Sequence, residues 1–299
     1  MGFSPFSSFN WVSSLEARET HAIDRLTTEM SEYYSRPSLR TEYYEFTNTM
    51  WSDTAQIPNQ EILDICKRRS RVLEVGCGRA HILTALSEWG GCYTGADFSA
   101  ELMDENQVTY PEAKFVSLQP SQPLPFDDNA FDVVFSHFVL EHCTRPSVFL
   151  DECSRVLAPG GRLIVFCPDF LGRARMSSQR LGATFGTGRE KLKAGRYFDA
   201  LMTFVDGRVR LPLKSRIMRK RANACPRFYI NLDPVCLSDT FDGFFADIDA
   251  VYLTYGPEIK NYLSQKIVWQ SQAPEIEEFC HVNNLLFLAG QKIGDAGSS

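Results

Sequence analysis

No stretch of the 299-residue chain approaches the ~18 consecutive apolar residues of a membrane-spanning helix. The longest apolar runs, Leu163 to Cys167 and Leu285 to Ala289, have the length of strands. The opening MGFSPFSSFNW lacks a basic start followed by an apolar stretch, so no secretory signal is expected. Phe6 stands where a myristoylation signal needs Ser or Thr, which argues against that anchor. The nine cysteines form no CxxC pair and are odd in number, so neither a disulfide framework nor a zinc site is expected. They read as the reduced thiols of a cytoplasmic protein, with no metal and no membrane partner. Internal repeats and low-complexity segments are also lacking. With 44% hydrophobic and 23% charged residues the chain lies in the globular range, which excludes disorder, collagen and coiled coil.

What is present is unevenly distributed. The net charge is −6, yet residues 171–228 hold fifteen Lys and Arg against Glu190, Asp199 and Asp206, a local +12. The remainder therefore carries −18. Such segregation bears on partners rather than on fold.

Three zones follow along the chain. Residues 1–57 are polar and aromatic, with Tyr33-Tyr34 and Tyr43-Tyr44, and with Ala22, Leu26 and Met30 in one helical row. From 58 to 170 the pattern alternates. Helices are expected at 58–69 and 79–89, and strands at 71–75, 92–96, 114–118, 132–136 and 162–167. Phe149, Cys153 and Val156 stand at helical spacing, and Pro159-Gly160-Gly161 is expected to stop that helix. Alternating β and α units argue for a parallel sheet covered on both faces. After the basic zone, Asp247 to Tyr255 and Leu285 to Gln291 supply two further strand candidates, with a helical stretch at 258–267 between them.

The most informative residues are VLEVGCGRA, 72–80. A strand runs into a glycine turn that opens a helix, an arrangement that brings a ligand against backbone amides. A dinucleotide site is the obvious competitor. Against it, the third glycine of GxGxxG would fall at His81, and Glu74 would set a negative charge beside a pyrophosphate. A carboxylate at that place suits a cationic ligand carrying an amino group.

At this point the chain resembles the class I S-adenosylmethionine-dependent methyltransferases, in their small-molecule, type 11-like branch, from about Val72 to Pro168. VLEVGCGRA is similar to the first motif, so the resemblance puts Glu74, Gly76, Cys77 and Gly78 at the cofactor. YTGADFS (93–99) is similar to the second strand, with Asp97 on the ribose hydroxyls and Phe98 beside it. Asp97 also lies 21 residues after Gly76, a spacing that suits a ribose-binding acid. LPFDDNAFDVVFSHFVLEH (124–142) resembles the fourth-strand segment, with Ser136 and His137 at its tip. FLDECSRVLAPGGRLIVFCPD (149–169) resembles the following helix, turn and fifth strand. Two departures stand out. Ala80 replaces a usual glycine, and Pro120 replaces the acid that commonly meets adenine, which leaves backbone groups around Ser121 and Gln122 for that contact.

The implied architecture is α/β: a doubly wound, mostly parallel seven-stranded Rossmann-like sheet with a helical cap. The expected divisions are 1–57 as an N-terminal cap, 58–170 as the cofactor-binding core and 171–228 as a basic insertion over the substrate. Residues 229–292 would complete the sheet, and 293–299 form a tail. The implied activity is methyl transfer from S-adenosyl-L-methionine to an oxygen or nitrogen of a small molecule. A carboxylate or phosphate on the acceptor would meet Arg173, Arg175, Arg180, Arg189 or Arg196. His142, and next His137, are the candidate bases for a hydroxyl acceptor. Two other readings are a nucleic-acid methyltransferase, against which the acidic net charge argues, and a silent partner subunit, against which the intact loop argues.

Overall fold

The computed structural model describes residues 11–13, 20–34, 56–86, 90–119, 122–172, 187–232, 234–237 and 248–294. Strands β1 (Trp11–Ser13) and β7 (Tyr229–Asn231) form a small antiparallel pair. The main sheet has seven strands. They are β2 (Arg71–Val75), β3 (Cys92–Asp97), β4 (Lys114–Ser117), β5 (Phe131–His137), β6 (Leu157–Pro168), β8 (Ile267–Trp269) and β9 (Leu285–Lys292), in the order β4-β3-β2-β5-β6-β9-β8. The first five run parallel and the last two join antiparallel. The expected doubly wound α/β sheet is therefore present.

Alternating side chains explain why both faces are covered. Leu73, Val75, Val134, Leu163 and Val165 enter one apolar layer. Helices α1 (Thr20–Tyr34), α5 (Pro146–Val156) and α9 (Gly256–Tyr262) supply Leu26, Leu150 and Ile259 to it. Val72, Val133, Phe135, Ile164 and Phe166 enter the other layer. There α2 (Gln56–Lys67) and α10 (Pro274–Asn283) contribute Ile62, Cys66, Ile276 and Cys280. Between β2 and β3, α3 is only one turn, Ile82–Ala85, rather than the longer helix expected; residues 87–89 lie outside the described set.

Two expectations need correction. The helix before β6 ends at Val156, not at the Pro-Gly-Gly turn. Leu157 already pairs with Phe131, and the next registered pair is Arg162 with Val133, so residues 158–161 bulge out of the ladder. Gly160, at φ +73°, supplies the left-handed residue this bulge requires. The second correction concerns the strand expected at 247–255, whose described residues, 248–255, do not join the main sheet. β6 has one edge free after pairing with β5, and β9 takes it from Arg162 to Pro168. Residues 248–255 instead run buried across the strand ends. The Val251 and Tyr252 N–H groups donate to the Glu141 carbonyl, and Leu253 N–H donates to Tyr229. The antiparallel partner of β9 is the short β8, which begins at the last residue of the stretch expected to be helical at 258–267; α9 covers 258–262 of that stretch.

Candidate functional site

Gly76 leaves β2 at φ +78°, and its N–H donates to the Ala96 carbonyl of β3 at 2.7 Å. A Cβ at this position would lie 2.3 Å from Val139 Cγ2, so the loop passes where only glycine fits. Gly78 is also left-handed, at φ +50°, but a Cβ there would meet no described atom within 4 Å. One glycine thus seats the loop against the tip of β5, while the other leaves an open cradle. Ala80 completes the turn at φ +52° and is fully buried, a non-glycine residue in the left-handed region.

Asp97 closes the cradle from the end of β3. Its Oδ2 accepts from Gly78 N–H at 3.0 Å and its Oδ1 from Ser99 N–H at 3.1 Å. Burial raises its pKa, and the backbone donors oppose that rise. Asp97 does not cap the helix that follows it. Ser99 caps α4 (Ala100–Thr109), its Oγ accepting from Leu102 N–H. Phe98, between them, is 57% exposed. From α4, Asn106 donates to the Gly78 carbonyl at 2.6 Å and pins the loop. No sequence signal pointed to Asn106.

Glu74 is buried, and its carboxyl accepts a short hydrogen bond from the Tyr93 hydroxyl. Burial pushes its pKa up to about 8, the Tyr93 bond lowers it and the Asp97 charge raises it further. Cys77 is buried against Leu102 and Met103, and burial raises its thiol pKa far above the ordinary value. Its N–H, bonded to Ala96, belongs to the loop backbone. Ser136, at the tip of β5, is buried, and its Oγ has no hydrogen-bond partner among the described residues. Gln122 is exposed, with its N–H donated to Gln119; Ser121 lies outside the described residues.

The two histidines occupy different settings. His137 is buried, with Nε2 2.9 Å from Asn59 Oδ1 of α2 and its ring packed on Phe138 and Phe166. Burial lowers its pKa to about 3, so the imidazole is neutral at physiological pH. His142 ends the 3₁₀ turn Leu140–His142 that follows β5. Its Nδ1 lies 3.4 Å from the Asp249 carbonyl and 3.5 Å from Asp249 Oδ2, and its Nε2 lies 3.7 Å from Glu141 Oε1. Tyr34 of α1 donates to Asp249 Oδ2 at 2.7 Å and stands edge-on to the His142 ring. Of the five arginines, Arg173, Arg175 and Arg180 lie outside the described residues. Arg189 is exposed, and Arg196 is paired with Asp199 at 2.8 Å. The Tyr43-Tyr44 pair is likewise outside them, whereas Tyr33 and Tyr34 are placed by α1.

Comparison with known proteins bears on this geometry. Residues 73–165 match the family described as methyltransferase domain. The chain is 30% identical over 132 residues to a demethylmenaquinone methyltransferase of Clavibacter sepedonicus, covering 41% of this chain and 52% of that protein. It is 32% identical over 149 residues to a ubiquinone biosynthesis O-methyltransferase of Xylella fastidiosa, covering 44% and 58%. The matches thus span little more than half the length of these relatives. Among solved structures, the chain is similar to a Burkholderia thailandensis 1,6-didemethyltoxoflavin-N1-methyltransferase with bound 1,6-didemethyltoxoflavin and S-adenosylhomocysteine. The identity there is 16%, with 93% of this chain and 91% of that chain covered and a TM-score of 0.49. The matched block contains the strand–loop–strand unit that sets Gly76 and Gly78 against Asp97, so residues 73–165 form a methyltransferase domain similar to those of S-adenosylmethionine-dependent enzymes.

Proposed function

We propose that this protein transfers the methyl group of S-adenosylmethionine to an oxygen or nitrogen of a small molecule bearing a carboxylate or phosphate. The observation that carries the reading is the open cradle at Gly78 facing the Asp97 carboxylate. The residues present fit the cofactor. Asp97 offers acceptor oxygens for vicinal hydroxyls, Phe98 an exposed ring for a flat base, and Ser136 Oγ an unsatisfied polar atom at the neighbouring strand tip. The buried Glu74 suits a cation, because a positive group beside it would favour its ionised form. Backbone amides of 76–78 and the exposed Gln122 complete the wall on this reading. When bound, the cofactor supplies an electrophilic methyl on a sulfonium.

The chain's own contribution is positioning, exclusion of water and, for a hydroxyl acceptor, removal of a proton. His142 is the better base of the two histidines. Asp249, facing Nδ1 through both its carbonyl and its carboxylate, selects the Nδ1–H tautomer, which leaves the Nε2 lone pair to take the proton. The imidazolium formed stands between two carboxylates, Glu141 and Asp249. His137 is neutral but packed against Asn59 and two phenylalanines, which suits a structural part better. The names of the curated relatives, a demethylmenaquinone methyltransferase and a ubiquinone biosynthesis O-methyltransferase, support a small-molecule acceptor. The basic segment after β6 supports an anionic acceptor, since arginine's planar fork matches carboxylate and phosphate.

Calorimetric titration of S-adenosylmethionine into wild type and Asp97→Asn tests the reading. A loss of about 1.5–3 kcal/mol is expected, the scale of hydrogen bonds to a charged group. Equal affinity in a folded variant removes Asp97 from the site.

A further inference from the structure

The basic segment, whose arginines the methyl-transfer reading offers to an acceptor, also carries exposed apolar side chains that this reading does not use. It folds as α6 (Gly188–Lys193), α7 (Tyr197–Val205) and α8 (Leu211–Ala224), with a π-helical turn at Asp206–Arg210. Helix α7 is inverted relative to an ordinary surface helix. It turns Ala200 and Thr203 inward, where Thr203 Oγ1 accepts from the buried Lys191 of α6. Its bulky residues point away: Tyr197, Phe198, Leu201 and Phe204 are 58–71% exposed. Tyr197, Leu201 and Phe204 stand at i, i+4 and i+7 and form one stripe. Helix α8 repeats the arrangement. Met218 and Ala222 dock it onto Phe170, Leu253 and Tyr255, while Leu213 and Ile217, one turn apart, remain exposed. A single exposed leucine means little, but a row of large apolar side chains along one side of a helix, as on α7, marks an interaction surface.

Charge identifies the occupant. Residues 187–224 contain eleven Lys and Arg against three acids, a net of +8. Lys193, Arg216, Lys220 and Arg221 are exposed, and Arg208 lies over the Phe204 ring at 5.9 Å, a cation carried beside the apolar stripe. A second copy pairing through the same face would set +8 against +8. A nucleic acid offers phosphates but no apolar phase for Leu201, Leu213 and Ile217. The surface of a bilayer with anionic lipids offers both, headgroups for the cations and an interfacial layer for the apolar side chains. We propose that, against the sequence expectation of no membrane partner, the α6–α8 segment docks on anionic phospholipid membranes. The chain lies on the surface rather than crossing it, since no described helix is long and apolar enough to span a bilayer. The contact is local, because the rest of the molecule, at −14, is repelled by the same lipids and turns toward solvent. It rests on none of the methyltransferase assignments.

Vesicle flotation of the full chain tests this, comparing phosphatidylcholine alone with vesicles containing roughly one-third phosphatidylglycerol. Binding to the anionic vesicles is expected to exceed binding to neutral ones by at least about 10-fold and to fall as salt rises. The double substitution Leu201→Ser/Phe204→Ser is expected to reduce it at least about 10-fold, as is Lys220→Glu/Arg221→Glu. All four residues are solvent-exposed, and unchanged circular dichroism verifies the fold of each variant. A Tyr197→Trp variant is expected to shift its fluorescence to the blue when anionic vesicles are added. Equal or absent binding to both vesicle types overturns the proposal. So does a loss confined to the charge variants, which would mean adsorption without insertion. A dimer in sedimentation that Leu201→Ser/Phe204→Ser abolishes assigns the face to a second copy instead. RNA binding that survives the apolar substitutions, without vesicle binding, assigns it to a nucleic acid.

Discussion

Replacing Gly76 with alanine isolates the contact that seats the cofactor loop on β5. Two costs follow from the geometry. The backbone at φ +78° disfavours an L-residue by about 1–2 kcal/mol. The new methyl would also fall 2.3 Å from Val139 Cγ2 and 2.9 Å from Cγ1, so one side chain or the loop must move. Overpacking of this kind costs about 1–3 kcal/mol. The unfolded chain loses some freedom in exchange, worth about 0.4–1 kcal/mol in favour of alanine. The expected net loss is roughly 1–4 kcal/mol, read from urea unfolding without cofactor. Gly78→Ala serves as the control, because it incurs the left-handed cost with no described neighbour to strike. Its stability loss should be smaller, while its methyl, projecting into the cradle, should weaken cofactor binding. Introducing Val139→Ala completes a double-mutant cycle, and Gly76→Ala should cost about 1–3 kcal/mol less in that background. An equal cost in both backgrounds refutes the steric account, as does a Gly78→Ala variant as unstable as Gly76→Ala.

Glu74 makes stability depend on pH in a definite direction. Its carboxyl titrates near 8 in the folded protein and near 4.5 otherwise, so between those values the unfolded chain releases a proton that the folded chain keeps. Stability should fall as pH rises through this window, by up to about 1.4 kcal/mol per unit, and Glu74→Gln should abolish that slope in urea titrations at pH 6 and 8. Cofactor binding at pH 7 should release close to one proton in calorimetry run in buffers of different ionisation heat; release unaffected by Glu74→Gln would clear the residue of this role. Asp249→Asn changes the group facing His142 Nδ1, and Tyr34→Phe removes the hydroxyl that donates to that group while keeping the ring beside the imidazole. With a hydroxyl acceptor, Asp249→Asn should lower kcat about 10–100-fold and shift the acidic limb of the pH–rate profile to lower pH, Tyr34→Phe should do so more weakly, and the KM for cofactor should stay fixed. An unshifted profile in both would remove His142 as the base.

The parallel sheet was legible because burial on both faces writes itself into the chain as short apolar runs between turns. Val133-Val134-Phe135 and Leu163 to Cys167 carry that mark. The glycine loop and Asp97 were equally legible, since a tight approach and an acid at a strand end are local requirements. What was missed depends on contacts made far along the chain. Residues 248–255 alternate like a strand, and only the occupation of the β6 edge by β9 decides that they do not extend the sheet. Asp249 meets His142 across 107 positions, and Asn59 meets His137 across 78, with no motif to join either pair. Pro159-Gly160-Gly161 was read as a helix stop because a bulge demands the same residues. The apolar side chains of α7 were visible in the sequence, but their outward orientation was not.

The pairing of β9 with β6 has a consequence for anyone who would excise the family-matching block. Cut after about residue 170, β6 would lose its partner along the seven positions from Arg162 to Pro168. An edge strand of Leu163, Ile164, Val165 and Phe166, still paired with β5 but open on its other side, is a template for joining identical chains edge to edge. The fragment would also lose the donors that Val251 and Tyr252 bring to the Glu141 carbonyl beside His142. Loss of the residues after about 170 would therefore act on solubility before it acted on chemistry, and the C-terminal strand serves the block as a chaperone carried in the same polypeptide.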